Sequence, residues 1–309
     1  MRILYVLRYY PTLSETFVLR EIRELLRLGH QIEVVALGRR ADGRLATNLP
    51  VVRVHRPSRR APLWTWHHRI GPVDQIHAHF DGEASMMARR LSKALGRPYT
   101  VTVHAVDLFK PHVGIVRRLL EAESVVVVCE HHQRWLEERM GVRSVVVPCG
   151  VEIPRASADP TLEPAVVVAV ARHAPKKGLD RLKRAHPDAL WLHDVPHVEA
   201  LQQLMKASVF ALPCRVAPDG DRDGVPVAMM EAMARGLPVV TRPVAGIAEL
   251  VDETCGWVSD DFEGALREAL EDPLERGRRG GVARSRIRSD RSIEHTVGKL
   301  LRVWDTDVG

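Results

Sequence analysis

Short apolar runs alternate with stretches of helical period along most of this chain. They do so in two series, on either side of one proline-broken segment, GVEIPRASADPTLEP at residues 150–164. Strand-length apolar runs separated by helices build parallel sheets covered on both faces. In the first series RILYVLR reads as a buried strand, SETFVLREIRELLRLGH as a helix from a Ser14 cap to Gly29, and QIEVVAL as the next strand. DQIHAHF, YTVTVHA, SVVVVCE and SVVVPC come next as strands, with helices over GEASMMARRLSKALG, GIVRRLLEAE and HHQRWLEERMG. The second series starts at AVVVAVAR and runs through a helix GLDRLKRA, a strand ALWLHD, a helix HVEALQQLMKA and the apolar runs SVFALPC, LPVVTR, AELV and GWVS. The end, FEGALREALEDPLERGRRGGVARSRIRS and SIEHTVGKLLRVW, is helical and amphipathic. The expected organisation is therefore α/β, with two Rossmann-like domains at 1–150 and 151–290 and a terminal helix at 291–309. A chain of 309 residues is long enough to give each domain its own core.

Within the second series, DGDRDGVPVAMMEAMARGLPVV places Asp223 and Glu231 eight positions apart, on either side of a turn made by Gly224, Val225 and Pro226. Proline suits the first helical turn, and Met229, Met230, Ala232 and Met233 supply an apolar helix body. Asp223 then sits at the mouth of a helix and Glu231 further down it, close to the same direction. Amide donors at such an end attract anions, so carboxylate, amides and carboxylate make a strip suited to a ligand carrying hydroxyls and phosphates. Taken alone, the pair also reads as a cap-region residue and a solvated helix residue.

After the pair come Arg235-Gly236-Leu237-Pro238, then Val239-Val240-Thr241, then Gly246-Ile247-Ala248-Glu249-Leu250-Val251. This order resembles family 4 of the retaining glycosyltransferases, whose GT-B fold has parallel sheets in two Rossmann-like domains facing a central cleft where the reaction takes place; the resemblance implies that the helix at 291–309 crosses back to the first domain. The resemblance implies that Asp223, here in place of the family's first Glu, meets the transferred sugar together with the backbone from Gly224 through Val225 to Pro226, and that Glu231 meets the ribose. Arg172 and Lys177, in ARHAPKKGLD, resemble the family's phosphate motif, with Ala171 where a glycine is usual. Fixed cations there oppose the charge that develops on a diphosphate leaving group. Lys176 reads instead as part of a solvated basic turn. His104, in Thr102-Val103-His104 and followed by Asp107, matches the place of a histidine that faces the sugar, while Asp107 is an acceptor-side candidate. The loop PTLSETF resembles a subset linked to polysaccharide assembly, in which Ser14 and Glu15 reach toward donor phosphates and acceptor. Only sixteen residues separate Gly178 from Val195, where relatives carry an extra helix and strand, so the base pocket is not assignable.

Composition narrows the class further. The net charge of +6 favours anionic company, whether nucleotide sugar, anionic lipid or nucleic acid. Aromatic content of 5% without a recognition signature argues against nucleic acid. Arg53, Arg56, Arg59 and Arg60 with Trp64 and Trp66 form a basic, aromatic segment of the kind that rests on a membrane interface, and an arginine-rich solvated loop reads the same way. No apolar run approaches a membrane span, and MRILYVLRYYP is too short and charged for a signal sequence, so the expected location is cytoplasmic, with peripheral contact at the inner membrane face left open. Cys129, Cys149, Cys214 and Cys255 lack metal spacing and read as reduced thiols. The histidine pairs His67-His68, His77/His79 and His131-His132 lack a carboxylate or histidine at metal-site spacing, and the run Asp219, Asp221, Asp223 fails as a calcium loop because Met230 stands at its twelfth position.

The resulting expectation is a metal-independent, retaining hexosyltransferase with no cofactor. Its donor is a nucleoside-diphosphate sugar, and its acceptor a glycan, a lipid-linked intermediate or a small molecule. A nucleotide-sugar-binding subunit without catalysis and a GT-B epimerase are the alternatives.

Overall fold

The computed structural model describes residues 1–39, 49–56 and 70–305. Arg59, Arg60, Trp64, Trp66 and the His67-His68 pair lie outside them. The chain forms two compact units, one of Met1–Pro148 with the chain end from Val297, the other of Cys149–Thr296.

The first unit runs β1 (Arg2–Tyr9), α1 (Thr16–Arg27), β2 (Gln31–Gly38), β3 (Arg53–His55), β4 (Gln75–His79), α2 (Glu83–Leu95), β5 (Tyr99–Val103), α3 (Ala105–Phe109), α4 (Ile115–Leu120), β6 (Ser124–Val127), α5 (Glu130–Met140) and β7 (Val145–Val146). Its seven strands are ordered β3-β2-β1-β4-β5-β6-β7. All neighbouring pairs are parallel. β1 lies inside the sheet, between β2 and β4, and carries Ile3, Leu4, Tyr5 and Val6 with no exposure, its Val6 set between Val35 and Ala78. Alternation along β4 sends Ile76 and Ala78 into the main core and leaves His77 and His79 for the opposite face. Part of the basic segment is not a loop: Arg53–His55 is an edge strand on β2, where the His55 imidazole pairs with Glu33 at 2.5 Å.

The second unit runs β8 (Val167–Val170), a 3-10 turn (Pro175–Lys177), α6 (Leu179–Ala185), β9 (Leu190–Leu192), α7 (His197–Leu204), β10 (Val209–Leu212), α8 (Val227–Ala234), β11 (Val239–Thr241), α9 (Ile247–Leu250), β12 (Gly256–Val258), α10 (Phe262–Glu271) and α11 (Pro273–Asp290). Its sheet is β12-β11-β10-β8-β9, again parallel. Val168, Phe210, Leu212 and Val239 pack on the face bearing Met229, Met230 and Met233, and Val167, Ala169, Val209 and Val240 on the face bearing Leu182, Phe262 and Leu266. AELV belongs to a short helix rather than a strand. The last helix, α12 (Ile293–Asp305), begins in the second unit and joins the first at Val297; its Trp304 indole donates to Thr100 at 3.0 Å.

The proline-broken segment 150–164 is fastened to the second unit. Arg276, fully buried on α11, donates to the carbonyl oxygens of Pro160 at 2.7 Å and Leu270 at 2.8 Å. Arg284, two turns later, donates to those of Pro154 and Ala156. Guanidinium groups match such clustered carbonyls because their donors radiate in a fixed plane. Among the described residues no helix is long and apolar enough to cross a membrane.

Candidate active site

Ligands of parallel sheets bind at the carboxyl ends of the strands, and in the second unit those ends carry the expected donor residues. β8 ends into Ala171 and Arg172, and the 3-10 turn Pro175–Lys177 follows. Gly178 closes this turn in the left-handed region at φ +65°, with a Cβ position only 2.0 Å from the Pro213 carbonyl oxygen. The turn thus lies directly against the loop after β10. Arg215 of that loop donates to the Pro175 carbonyl at 2.8 Å and pairs with Asp180, which fixes the approach.

That approach assembles an ion cluster. Lys177 Nζ is 2.7 Å from Asp223 Oδ2, and Lys176 Nζ is 3.1 Å from Asp221 Oδ1 and 3.4 Å from Asp223 Oδ1. Lys176 is therefore not the solvated member of the turn, since it is 8% exposed and held by two carboxylates. The same pairing accounts for Asp219-x-Asp221-x-Asp223: two of its three carboxylates face lysines. Burial pushes the Asp223 carboxyl up, but Lys177 and then Lys176 outweigh it, so its pKa falls below the ordinary 3.8. Burial pulls the Lys177 ammonium down, and Asp223 outweighs that, so its pKa rises above 10.5. Burial and the adjacent Asp223 carboxylate push the Cys214 thiol up, leaving it an inert neighbour.

A depressed carboxylate stabilises the fold above its unfolded pKa and a raised ammonium stabilises it below its own, so both contributions are present between about pH 4 and pH 10. Unfolding free energy from urea titrations should accordingly fall as pH drops below 3.8, and Asp223→Asn should flatten that acid limb.

Arg172 stands apart. It is exposed and makes no hydrogen bond or ion pair with another described residue, yet lies near enough to Lys177 to oppose its charge. Three cations thus share two carboxylates, and the excess charge resides on Arg172.

α8 begins one residue later than the sequence suggests. Pro226 is its N-cap rather than its first helical residue, with Gly224 buried and Val225 half-buried before it. Glu231 is buried on α8, not solvated, and accepts from His197 Nε2 at 2.8 Å. Asp223 and Glu231 consequently answer to different partners, a lysine pair and a histidine. His197 opens α7, and no pattern in the sequence marks it.

In the first unit, His104 caps α3 in a reciprocal arrangement with Asp107. Its imidazole pKa is driven well below 6.5, first by burial and then by the neighbouring imidazoles His79 and His132. Asp107 is 2% exposed and accepts the backbone N–H groups of His104 at 2.8 Å and Asp81 at 3.1 Å. Burial raises its pKa to about 7. It orders this turn and is not displayed to an acceptor. Ser14 is exposed and outside α1, whose N-cap is Glu15 with no side-chain capping bond, so the expected serine cap does not form.

The histidines of β4 do meet a carboxylate, supplied by Glu21 of α1 and invisible to local spacing. Ligand-capable atoms of Glu21, His77 and His79 lie within 4.8 Å of one another. Their nitrogens already have protein partners: His77 bonds Thr100 at 2.8 Å and Thr102 at 3.1 Å, and His79 bonds Glu21 and His104. This is the pattern of a satisfied buried network.

Comparison with known proteins accords with this arrangement. The model for Glycosyltransferase Family 4 matches residues 14–155, and that for Glycosyl transferases group 1 matches residues 152–276. The amylovoran biosynthesis glycosyltransferase AmsK of Erwinia amylovora is 24% identical over 379 aligned positions, covering 87% of this chain and 89% of AmsK. Among solved structures, Anabaena HepE in complex with UDP superposes with a TM-score of 0.71 at 17% identity, covering 99% of this chain and all of HepE. An alpha-glucosyltransferase in complex with UDP and a 13-mer DNA gives 0.73 at 11% identity, covering 99% of each chain. With two α/β units of parallel sheet, the two models matching in succession along them, and this set of relatives, the chain is a glycosyltransferase of the family 4 type, built on the GT-B fold.

Proposed function

We propose that the chain transfers a hexose from a nucleoside-diphosphate sugar to an acceptor hydroxyl with retention at the anomeric carbon and without a metal. The observation that carries this reading is the uncompensated guanidinium of Arg172 beside the neutralised Lys177–Asp223 pair, at the end of β8. A diphosphate gains charge as its bond to the sugar breaks, and a fixed cation there favours the transition state over the ground state. The acceptor oxygen bonds the anomeric carbon on the face the diphosphate leaves, and the acceptor proton passes to the departing phosphate oxygen. No protein nucleophile is required, and the chain contributes positioning and charge.

In this reading Arg172 and Lys177 hold the diphosphate, and Glu231, set by His197, takes the ribose hydroxyls. Asp223 with the backbone near Val225 meets the sugar, and His104 meets a substrate hydroxyl. The acceptor class is a polysaccharide intermediate, in line with the named role of AmsK. UDP, present in the HepE and alpha-glucosyltransferase structures, makes UDP-glucose the first donor to test.

Thermal-shift measurements with UDP-glucose, GDP-mannose and TDP-glucose should show stabilisation by one donor, because a ligand bound only to the folded chain raises its melting temperature. Glu231→Gln should weaken that donor by about tenfold, the worth of a charged hydrogen bond to a ribose hydroxyl. Absence of any shift, or an unchanged affinity in the variant, would contradict the assignment.

A further inference from the structure

The first unit buries a linear hydrogen-bonded array on the face of its sheet opposite the main core. Tyr5 Oη donates to Glu21 Oε1 at 2.6 Å, and His79 Nε2 lies 3.0 Å from the same oxygen. His79 Nδ1 lies 3.2 Å from His104 Nε2. The His104 ring is clamped by Phe80, with centroids 4.3 Å apart, and Phe17, at 4.9 Å. Tyr5 comes from β1, Glu21 from α1, His79 from the end of β4, and His104 from the end of β5, so four elements converge on one file of polar atoms.

The protons in this file can be placed from both ends. A carboxylate only accepts hydrogen bonds, so His79 carries a proton on Nε2. At the other end the His104 ring accepts the Asp107 backbone N–H in the capping arrangement. Nε2 of that ring faces His79, so the accepting nitrogen is Nδ1, and it is bare. An imidazole must keep one proton in this pH range, so the proton of His104 is on Nε2 and is donated to His79 Nδ1. A doubly protonated His79 would set two donors face to face, which excludes it. One assignment satisfies every contact. The low pKa of His104 accords with its being neutral, and the pKa of Tyr5, raised by burial and by Glu21, keeps its hydroxyl a donor.

We propose that Glu21 and His79 are positioning residues that hold His104 as the neutral Nε2–H tautomer, so that Nδ1 serves as an acceptor for a substrate hydroxyl. This rests on the transferase reading for what the hydroxyl belongs to. The Asp107 N–H also reaches the His104 carbonyl oxygen at 3.0 Å, so a hydroxyl can take Nδ1 without orphaning that amide. His104 thereby selects a hydrogen-bond donor, and it neither supplies nor removes a proton in the reaction.

Long-range proton–nitrogen correlation spectra of histidine-labelled full-length protein near neutral pH read the tautomers directly. His104 is expected to show a protonated Nε2 and a bare Nδ1, and His79 a protonated Nε2, with resonances assigned by their loss in His104→Gln and His79→Asn. His79→Asn keeps a side-chain oxygen near the former Nδ1 and should preserve the His104 pattern. His79→Phe removes the acceptor, and should mix the His104 tautomers and lower kcat for the stabilising donor by about tenfold with its KM unchanged. A protonated Nδ1 on His104, a charged His79, or a His79→Phe protein indistinguishable from the parent in both readouts overturns the proposal. The parent spectrum decides the matter by itself if His79→Phe does not fold. Lack of donor turnover in the parent counts against the transferase reading while the tautomers are judged independently.

Discussion

Arg172→Ala is expected to lower donor turnover by about 10²–10³ while leaving the free energy of unfolding within about 0.5 kcal/mol of the parent. The two halves of this expectation have separate causes. Arg172 is exposed and makes no hydrogen bond or ion pair with another described residue, so shortening its side chain removes no polar partner from the folded state. Its charge is also the one that no carboxylate in the cluster answers, so an arriving diphosphate meets it at full strength. Lys177 does not replace it, because its ammonium is shared with Asp223 at 2.7 Å and answers only part of the diphosphate charge. Steady-state donor turnover together with urea unfolding checks both halves. Retained turnover, or a large stability loss, would remove Arg172 from the proposed leaving-group site.

Gly178→Ala should act in the opposite sense, through the fold first. A side chain at φ +65° costs about 1 kcal/mol, and its Cβ would sit 2.0 Å from the Pro213 carbonyl oxygen. Neither backbone can yield without parting the 3-10 turn from the loop after β10. Overpacking of this kind adds about 1–3 kcal/mol, for a total of about 2–4 kcal/mol. That displacement separates Lys176 and Lys177 from Asp221 and Asp223, so donor-induced thermal stabilisation should vanish at temperatures where the variant is still folded. Urea unfolding and the thermal-shift panel measure the two consequences.

Most strands of both sheets are legible in the sequence because short apolar runs rich in β-branched and aromatic residues have few other uses. β3 escaped since Arg53, Val54 and His55 carry one apolar residue among two polar ones, and only pairing with β2 makes them a strand. α3 and α9 are too short to show a helical period. The site divides along similar lines. Asp223, Glu231, Arg172 and Lys177 stand out by local order, whereas their partners do not. Lys176 is buried by carboxylates 45 and 47 positions away, and His197 reaches Glu231 across 34. Glu21 meets His79 across 58 positions. Spacing along a chain reports one helix face or one strand, and contacts made by the winding of β-α units lie beyond it.

β9 bonds directly to β8 and forms the outer border of its sheet, with no strand beyond it among the described residues. The short span between Gly178 and Val195 therefore leads from α6 straight into a border strand, with no gap inside the sheet. β8 and β10 pair with each other inside the sheet, so that pairing does not depend on what lies at the border. A strand-and-helix segment inserted ahead of β9 should be accommodated at this rim, leaving the Lys176, Lys177 and Asp223 cluster and the His197–Glu231 pair as they stand.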